Sequence, residues 1–578
     1  MKSLRRFSLC SVILALLLAP ASLFGQLSTE QKLADFQYLA GLYAKRYGPY
    51  EWKRDVLKVD LLNLSTWLPR VSASKSDLEF FDLMSEYVAN LNDAHSVYIL
   101  PSSYTAYLNF VVDIYDGKLL VDSINRTRLP ASEFGFVTGY ELVSIDGESA
   151  QTLLDRYTRY GIAANAHSTS RFAAQYITYR PQQIIPNATS APDISTVVFR
   201  RPDGGLETYR IPWARAGLPL TSVGKYITPS AARRPTAESI DELPPENPDY
   251  LQVLQRLQNC TLPDRGVLNF GSVQPIFVNA LPPDFSLRLG FTGDPFFSGV
   301  FTSGGYRIGY LRIPSYAPAD ANLALTLLAR EIAYFQANTD GLIIDEMRNP
   351  GGSVSYANAV ASYLIPTPWT AIGFEVRATS EWVVGFSASY ESAKAQGAPP
   401  DILALLQQLK DTIQSANRQM HGRTPSIPLD DLTLDRVPAT DARGNVVAYR
   451  KPILMLIDEM SASAADLVAA TFQDNARGPL FGWRTMGAGG NVEPWEGGSY
   501  SLGTAEVTES LMVRNKDVTT PDYPVTRYVE NVGVRPDIEA DYMTASNLRS
   551  GGADFVDAFS RAIVDLIKNT AKPTEVKP

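Results

Sequence analysis

The sequence predicts an α/β protein, and three observations carry that prediction. Past residue 306, apolar runs of strand length alternate with stretches of helical period, the pattern of a sheet covered on both faces. The runs "YRIGYLRIPSY", "GLIIDE" and "KPILMLID" read as buried strands, bounded by turn residues. Two of them end in small-residue turns that lead straight into helices. A chain of 578 residues, 45% apolar and 20% charged, has the length for several domains and the composition of a globular protein.

The chain opens "MKSLRRFSLCSVILALLLAPASLFGQ". Lys2, Arg5 and Arg6 precede an apolar run from Phe7 to Leu18, and Ala19, Ala21 and Gly25 offer small residues for cleavage. This is the layout of a secretory signal peptide over residues 1–25, and it predicts export to the periplasm or the extracellular space. The run is short for a span of ~20 residues, so no stable membrane span is expected once it is removed. Its removal takes the formal charge from −9 to −12 and leaves no basic tract, which argues against a nucleic-acid partner. One cysteine, Cys260, then remains; it can form no internal disulfide and reads as a buried small residue. With three histidines and no HExxH or CxxC, neither a metal nor a cofactor is expected.

Residues 26–104 read as helical, with Leu33, Phe36, Ala40, Tyr43 and Tyr47 on one stripe and Ser76-Asp77 as a helix start. Residues 105–215 read as a small α/β module. It holds a hairpin turning at Asp116-Gly117, the strand–turn–helix "GYELVSIDGESAQTLLDRY", and a second hairpin turning at Asp203-Gly204-Gly205. Residues 216–300, rich in proline and acidic residues, read as an insert or linker. Residues 301–578 form the α/β core, with a polar helical insert near 390–430 and a terminal helix, "ADFVDAFSRAIVDLIKN".

The chemistry lies at the two strand-to-helix turns. In "IIDEMRNPGGSV", Gly351 and Gly352 allow backbone conformations in which their N–H groups face an anion, or they form an ordinary turn. In "DEMSASAADL", Ser461 and Ser463 stand where a nucleophile elbow would put its serine, and equally where a helix takes an N-cap. Neighbouring parallel strands would bring both turns to one edge of the sheet.

"GLIIDEMRNPGGSVSYANAVASYLI", "KPILMLIDEMSASAADLVAATFQDNARGPLFGWRTMGAGGN" and "ENVGVRPDIEA" together resemble the tail-specific, or C-terminal processing, serine peptidases. The resemblance implies a crotonase/ClpP-like ββα core, a PDZ-like module at 105–215, and a helical N-terminal region carrying the catalytic histidine. It makes Ser463 the nucleophile and Ser461 a structural neighbour, with the N–H of Ala464 and of Gly351 or Gly352 as oxyanion donors. One branch of the superfamily takes its base from a lysine after the serine. Here the stretch is "TMGAGG", and Ala488 at that place cannot accept a proton. The tricorn-type branch uses histidine and glutamate instead, which match His95 in "NDAHSVY" and Glu530 in "YVENVGV". Ala94 departs from that branch, which carries serine there. Residues 216–300 correspond in position, without a shared motif, to an inhibitory segment of one member, so self-inhibition is an expectation. His167 and His421 read as surface residues of polar loops, and Asp466 as a group orienting or capping the helix after Ser463.

The expected function is an exported serine endopeptidase acting on protein or peptide substrates through an acyl-enzyme. The alternative is a non-catalytic peptide- or lipid-binding protein that keeps the peptidase fold. Cleavage specificity and oligomeric state stay open, a homodimer among the alternatives.

Overall fold

The computed structural model describes residues 26–224, 249–251, 258–261 and 270–571. The expected signal peptide and much of the expected insert lie outside these residues.

The core is a seven-stranded sheet in the order Ser286–Leu289 (β1), Phe297–Ser303 (β2), Tyr306–Arg312 (β3), Gly341–Asp345 (β4), Ile453–Ile457 (β5), Leu480–Gly482 (β6) and Ile538–Glu539 (β7). β1 to β3 are antiparallel, and β3 to β7 run parallel. Strand periodicity explains the unbroken apolar runs of β4 and β5. Leu342, Ile344, Ile453, Met455 and Ile457 join the helices Ala321–Asn338 (α1), Val354–Leu364 (α2) and Ala464–Asp474 (α3) in one core cluster. Ile343, Leu454 and Leu456 point the other way, to Phe555, Phe559 and Ile563 of the C-terminal helix Ala553–Ala571 (α4). The boundary expected at residue 300 falls inside β2. The proline- and glycine-rich "LPPDFSLRLGFTGDPF" hides β1, while β2 turns into β3 through Gly304-Gly305, both at positive φ.

The N-terminal region folds onto this core. Its helices Thr29–Arg46 and Asp77–Ala89 begin at the caps Ser28 and Ser76, whose hydroxyls accept from Gln31 and Glu79 N–H. Tyr98–Ile99 pairs antiparallel with Thr504–Ala505, and the buried Asp35 carboxylate accepts from the N–H groups of Ser499, Tyr500 and Ser501.

The module that follows carries a sheet ordered Phe110–Tyr115, Lys118–Ile124, Glu141–Ile145, Ile194–Arg200 and Leu206–Pro212, with both expected hairpins. Asp116 and Gly117 both sit at positive φ, as a two-residue hairpin turn requires. His167 is not in a loop: it lies in the first turn of the helix Ala166–Thr178, capped by Asn165 Oδ1 on Ser168 N–H. That helix is buried over most of its surface, polar residues included. Its Arg171, fully buried, bonds Asp113 of the module and Glu459 of the core. His421 is exposed, just past the insert helix Pro400–Arg418. A second helix, Ser380–Ala395, packs beside that one.

Candidate active site

β4 and β5 are parallel neighbours, so the turns after them lie side by side. They are stapled together. Ser461 Oγ donates to Glu346 O (2.8 Å), Ala462 N–H to Asn349 O (2.9 Å), and Arg348 N–H to Asp458 Oδ1 (2.9 Å). Ser461 is thereby a structural residue. Ser463, just ahead of α3, holds φ 61° and ψ −113°, a region costly for a residue with a Cβ. Its N–H donates to Asp466 Oδ2 at 2.7 Å. The same carboxylate accepts from Ala488 N–H (3.0 Å), Gly487 N–H (2.9 Å) and the Thr485 hydroxyl. Asp466 thus ties the Ser463 turn to the loop where the lysine of the other branch would stand, and burial pushes its pKa up to about 6.

His95 Nε2 lies 2.7 Å from Ser463 Oγ, and both residues are fully buried. With Nε2 unprotonated, the hydroxyl donates and the imidazole is placed to take its proton. His95 is fixed through its own loop, where its N–H donates to Asp93 Oδ1 (2.9 Å) and Asp93 Oδ2 accepts from Thr508 Oγ1 (2.8 Å). Glu530 is also fully buried. Its Oε2 accepts from Gly489 N–H (2.9 Å) and its Oε1 from Lys53 Nζ (2.5 Å). Burial and the nearby Asp93 charge push Glu530 up to about 7, and Lys53 opposes them. Of the expected set, Ser463 and His95 meet directly, and Glu530 enters the cluster through Lys53 and Gly489.

Nothing in the sequence marks Lys53, while Asp93 and Asn531 stand inside the stretches "NDAHSVY" and "YVENVGV" with no role assigned to them. Lys53 stands in a short helix, Tyr50–Asp55, whose charges look like an ordinary solvated face. Only its partners set it apart: Asn92, 39 residues on, and Glu530 and Asn531, 477 and 478 residues on.

The expected oxyanion donors also separate. Gly351 N–H donates to Asn349 Oδ1 at 2.8 Å, within its own turn. Gly352 stands between two backbones. On one side Tyr316 N–H donates to Gly351 O, and Tyr316 O accepts from Ser353 N–H. On the other, the strand Asn259–Thr261 pairs antiparallel, with Cys260 opposite Gly352. A Cβ on Gly352 would lie 2.0 Å from the Tyr316 carbonyl carbon, so only glycine fits.

The segment 258–261 therefore lies in the site as an added strand. Its pairing continues to Gln258 O, which accepts from Val354 N–H (3.1 Å). The Cys260 carbonyl oxygen, Ala464 N and Ser463 Cβ all fall within 2.7 Å of the point where a Cβ on Gly351 would sit. The Cys260 thiol, fully buried, donates to Gly490 O at 3.3 Å.

A further buried carboxylate stands at the turn after β4. Glu346 accepts from the Tyr316 hydroxyl, and burial pushes it up to about 8. Among the described residues, no group of three or more His, Cys, Asp or Glu is placed to hold a metal ion. No helix there is long and apolar enough to cross a membrane.

Residues 307–540 match peptidase family S41, and residues 104–220 match a PDZ domain. A protein of Chlamydia trachomatis serovar D is 25% identical over 589 residues, covering 93% of each chain. One of Chlamydia pneumoniae is 24% identical over 611 residues, covering 95% of this chain and 92% of that one. Among solved structures, mature CPAF shares the fold with a TM-score of 0.72 at 24% identity, over 94% of this chain and 99% of that one. The same protein complexed with lactacystin gives 0.71 at 23% identity, with the same coverage. The motifs at both turns and at Glu530 likewise resemble those of the chlamydial protease-like activity factor. The chain is thus a serine-type peptidase that carries a family S41 domain and a PDZ domain, is tail-specific-protease-like, and resembles CPAF over nearly its whole length.

Proposed function

We propose that the protein is an exported serine endopeptidase working through Ser463, His95 and Glu530. The observation that carries this reading is the 2.7 Å contact between His95 Nε2 and Ser463 Oγ, at a serine held in the strained turn of a nucleophile. In the first step Ser463 Oγ forms a bond to the substrate carbonyl carbon while its proton passes to His95 Nε2. The C=O electron pair moves onto oxygen, which receives the N–H groups of Ala464 and Gly352, since Gly351 N–H is engaged by Asn349. Collapse breaks the C–N bond, and the imidazolium returns the proton to the leaving amine. Water, deprotonated by His95, then releases the acyl group by the same steps reversed. The Glu530 carboxylate stabilises the imidazolium charge formed twice in the cycle.

The parallel strands β3 to β7, with helices on both faces, support a crotonase/ClpP-like core for this chemistry. The substrate lies extended against Gly351–Ser353, where residues 259–261 now pair, so the segment acts as an internal inhibitor that mimics a substrate strand. The basic and apolar layout of residues 1–25 supports export to the periplasm or beyond.

Ser463→Ala tests the assignment. The variant is expected to keep the wild-type circular dichroism spectrum, to lose peptide hydrolysis, and to take no label from a fluorophosphonate probe. A variant that hydrolyses peptide at the wild-type rate overturns it.

A further inference from the structure

We propose that Lys53 is a positioning residue for catalysis: its buried ammonium is the fixed counter-charge that favours the ionised form of Glu530 and clamps the Glu530 loop to the loop carrying His95. This rests on the triad reading above and goes beyond it.

A lysine costs several kcal/mol to bury, and persists inside a fold where fixed acceptors offset that cost. Lys53 is 1% exposed and has an acceptor for each of its three donors. They are Glu530 Oε1 (2.5 Å), Asn531 Oδ1 (2.7 Å) and the Asn92 carbonyl (2.8 Å). The first two belong to the Glu530 loop. The third stands three residues before His95, in the loop that sets the imidazole. Asn531 closes the clamp, since its Nδ2 donates to the same Asn92 carbonyl (2.8 Å) and to Ala164 O (2.8 Å). Trp52 Nε1, next to Lys53 in the chain, donates to Asn531 Oδ1 at 3.0 Å. Asn92 and Asn531 both sit at positive φ, so each loop makes a tight bend at the point where it is gripped.

The charge around Glu530 makes the ammonium necessary. The groups facing it are Lys53, the carboxylate of Asp93, the His95 ring beside Asp93, the Gly489 N–H, and the phenols of Tyr47 and Tyr523. Burial holds Tyr47 well above its ordinary value and raises Tyr523, so both stay neutral near pH 7. Burial and Asp93 favour the protonated glutamic acid, against which Lys53 is the full positive charge. Without Lys53 the Glu530 pKa rises further, and the carboxylate ionises only at higher pH.

The test is the pH dependence, from pH 5 to 9.5, of fluorophosphonate labelling at Ser463, measured in the full chain and in its Cys260→Pro variant. Lys53→Met is expected to move the acid midpoint upward by about one pH unit or more, a roughly tenfold slower reaction at fixed pH on the acid side. Lys53→Arg keeps the midpoint near that of the parent, and Lys53→Met adds no further shift in a Glu530→Gln background. Lys53→Gln carries the same expectation as Lys53→Met and serves where the latter does not fold. A rate lowered equally at every pH, with the midpoint unmoved, assigns Lys53 a purely structural part and overturns the proposal. If Ser463→Ala still labels, or Glu530→Gln leaves the profile untouched, the triad itself fails, a result distinct from a failure of Lys53 alone.

Discussion

Glu346 shows how a single side chain near the site sets a property of the whole fold. Its carboxyl is fully buried against Tyr316, and burial holds its pKa at about 8, against ~4.3 in an unfolded chain. Between those values the folded state binds the extra proton. The stability this gives is complete below about pH 4.3 and is lost as pH rises through 8, by at most about 1.4 kcal/mol per pH unit. Glu346→Gln removes the titration. Urea unfolding at pH 5, 6.5, 8 and 9 is expected to show the variant gaining on the parent up to about pH 8 and then running level. A difference constant across that range rejects the assignment. At this scale Ser463 and Ala464 were legible because they adjoin in one local turn, and Gly352 because paired glycines mark the turn after the other buried strand. Lys53 was not, because nothing near it in sequence records the partner that buries it.

Among the elements, the strand Asn259–Thr261 pairs with Gly351–Ser353, where the proposed substrate strand would lie. It gains backbone hydrogen bonds to Gly351–Ser353 and a buried thiol, each a modest net contribution. Cys260→Pro removes the N–H opposite Gly352 and is expected to weaken docking by about 1 kcal/mol or more. Fluorophosphonate labelling of Ser463 is then expected to rise by about fivefold or more. Labelling at the parent's rate rejects the substrate-mimic reading. Elements with explicit turn chemistry could be read in advance, as at Asp116-Gly117 and Asp203-Gly204-Gly205. Two kinds could not. β1 and β2 follow prolines and glycines that mask them, and the helix Ala166–Thr178 opens on the polar run "NAHSTS", which reads as a loop although Phe172, Ala173, Tyr176 and Ile177 behind it share one helical face.

On the scale of the whole molecule, the N-terminal region and the peptidase core depend on each other. Asp35 satisfies three N–H groups of residues 499–501, and Arg46 bonds the buried Glu509. The model for folding is therefore one cooperative unit across these regions. Asp35→Ala is expected to cost about 3 kcal/mol, with tryptophan fluorescence and Ser463 labelling lost at the same urea concentration. Two separated transitions reject that unity. The sequence separations at the site carry a consequence in time. His95 reaches Ser463 across 368 residues, and Lys53 reaches Glu530 across 477. At synthesis rates of about 5–20 residues per second, Lys53 leaves the ribosome roughly half a minute to a minute and a half before its partner exists. The Ser463–His95 contact therefore cannot form before residue 463 is made, nor the Lys53–Glu530 pair before residue 530, so the site assembles late and from distant parts of the chain.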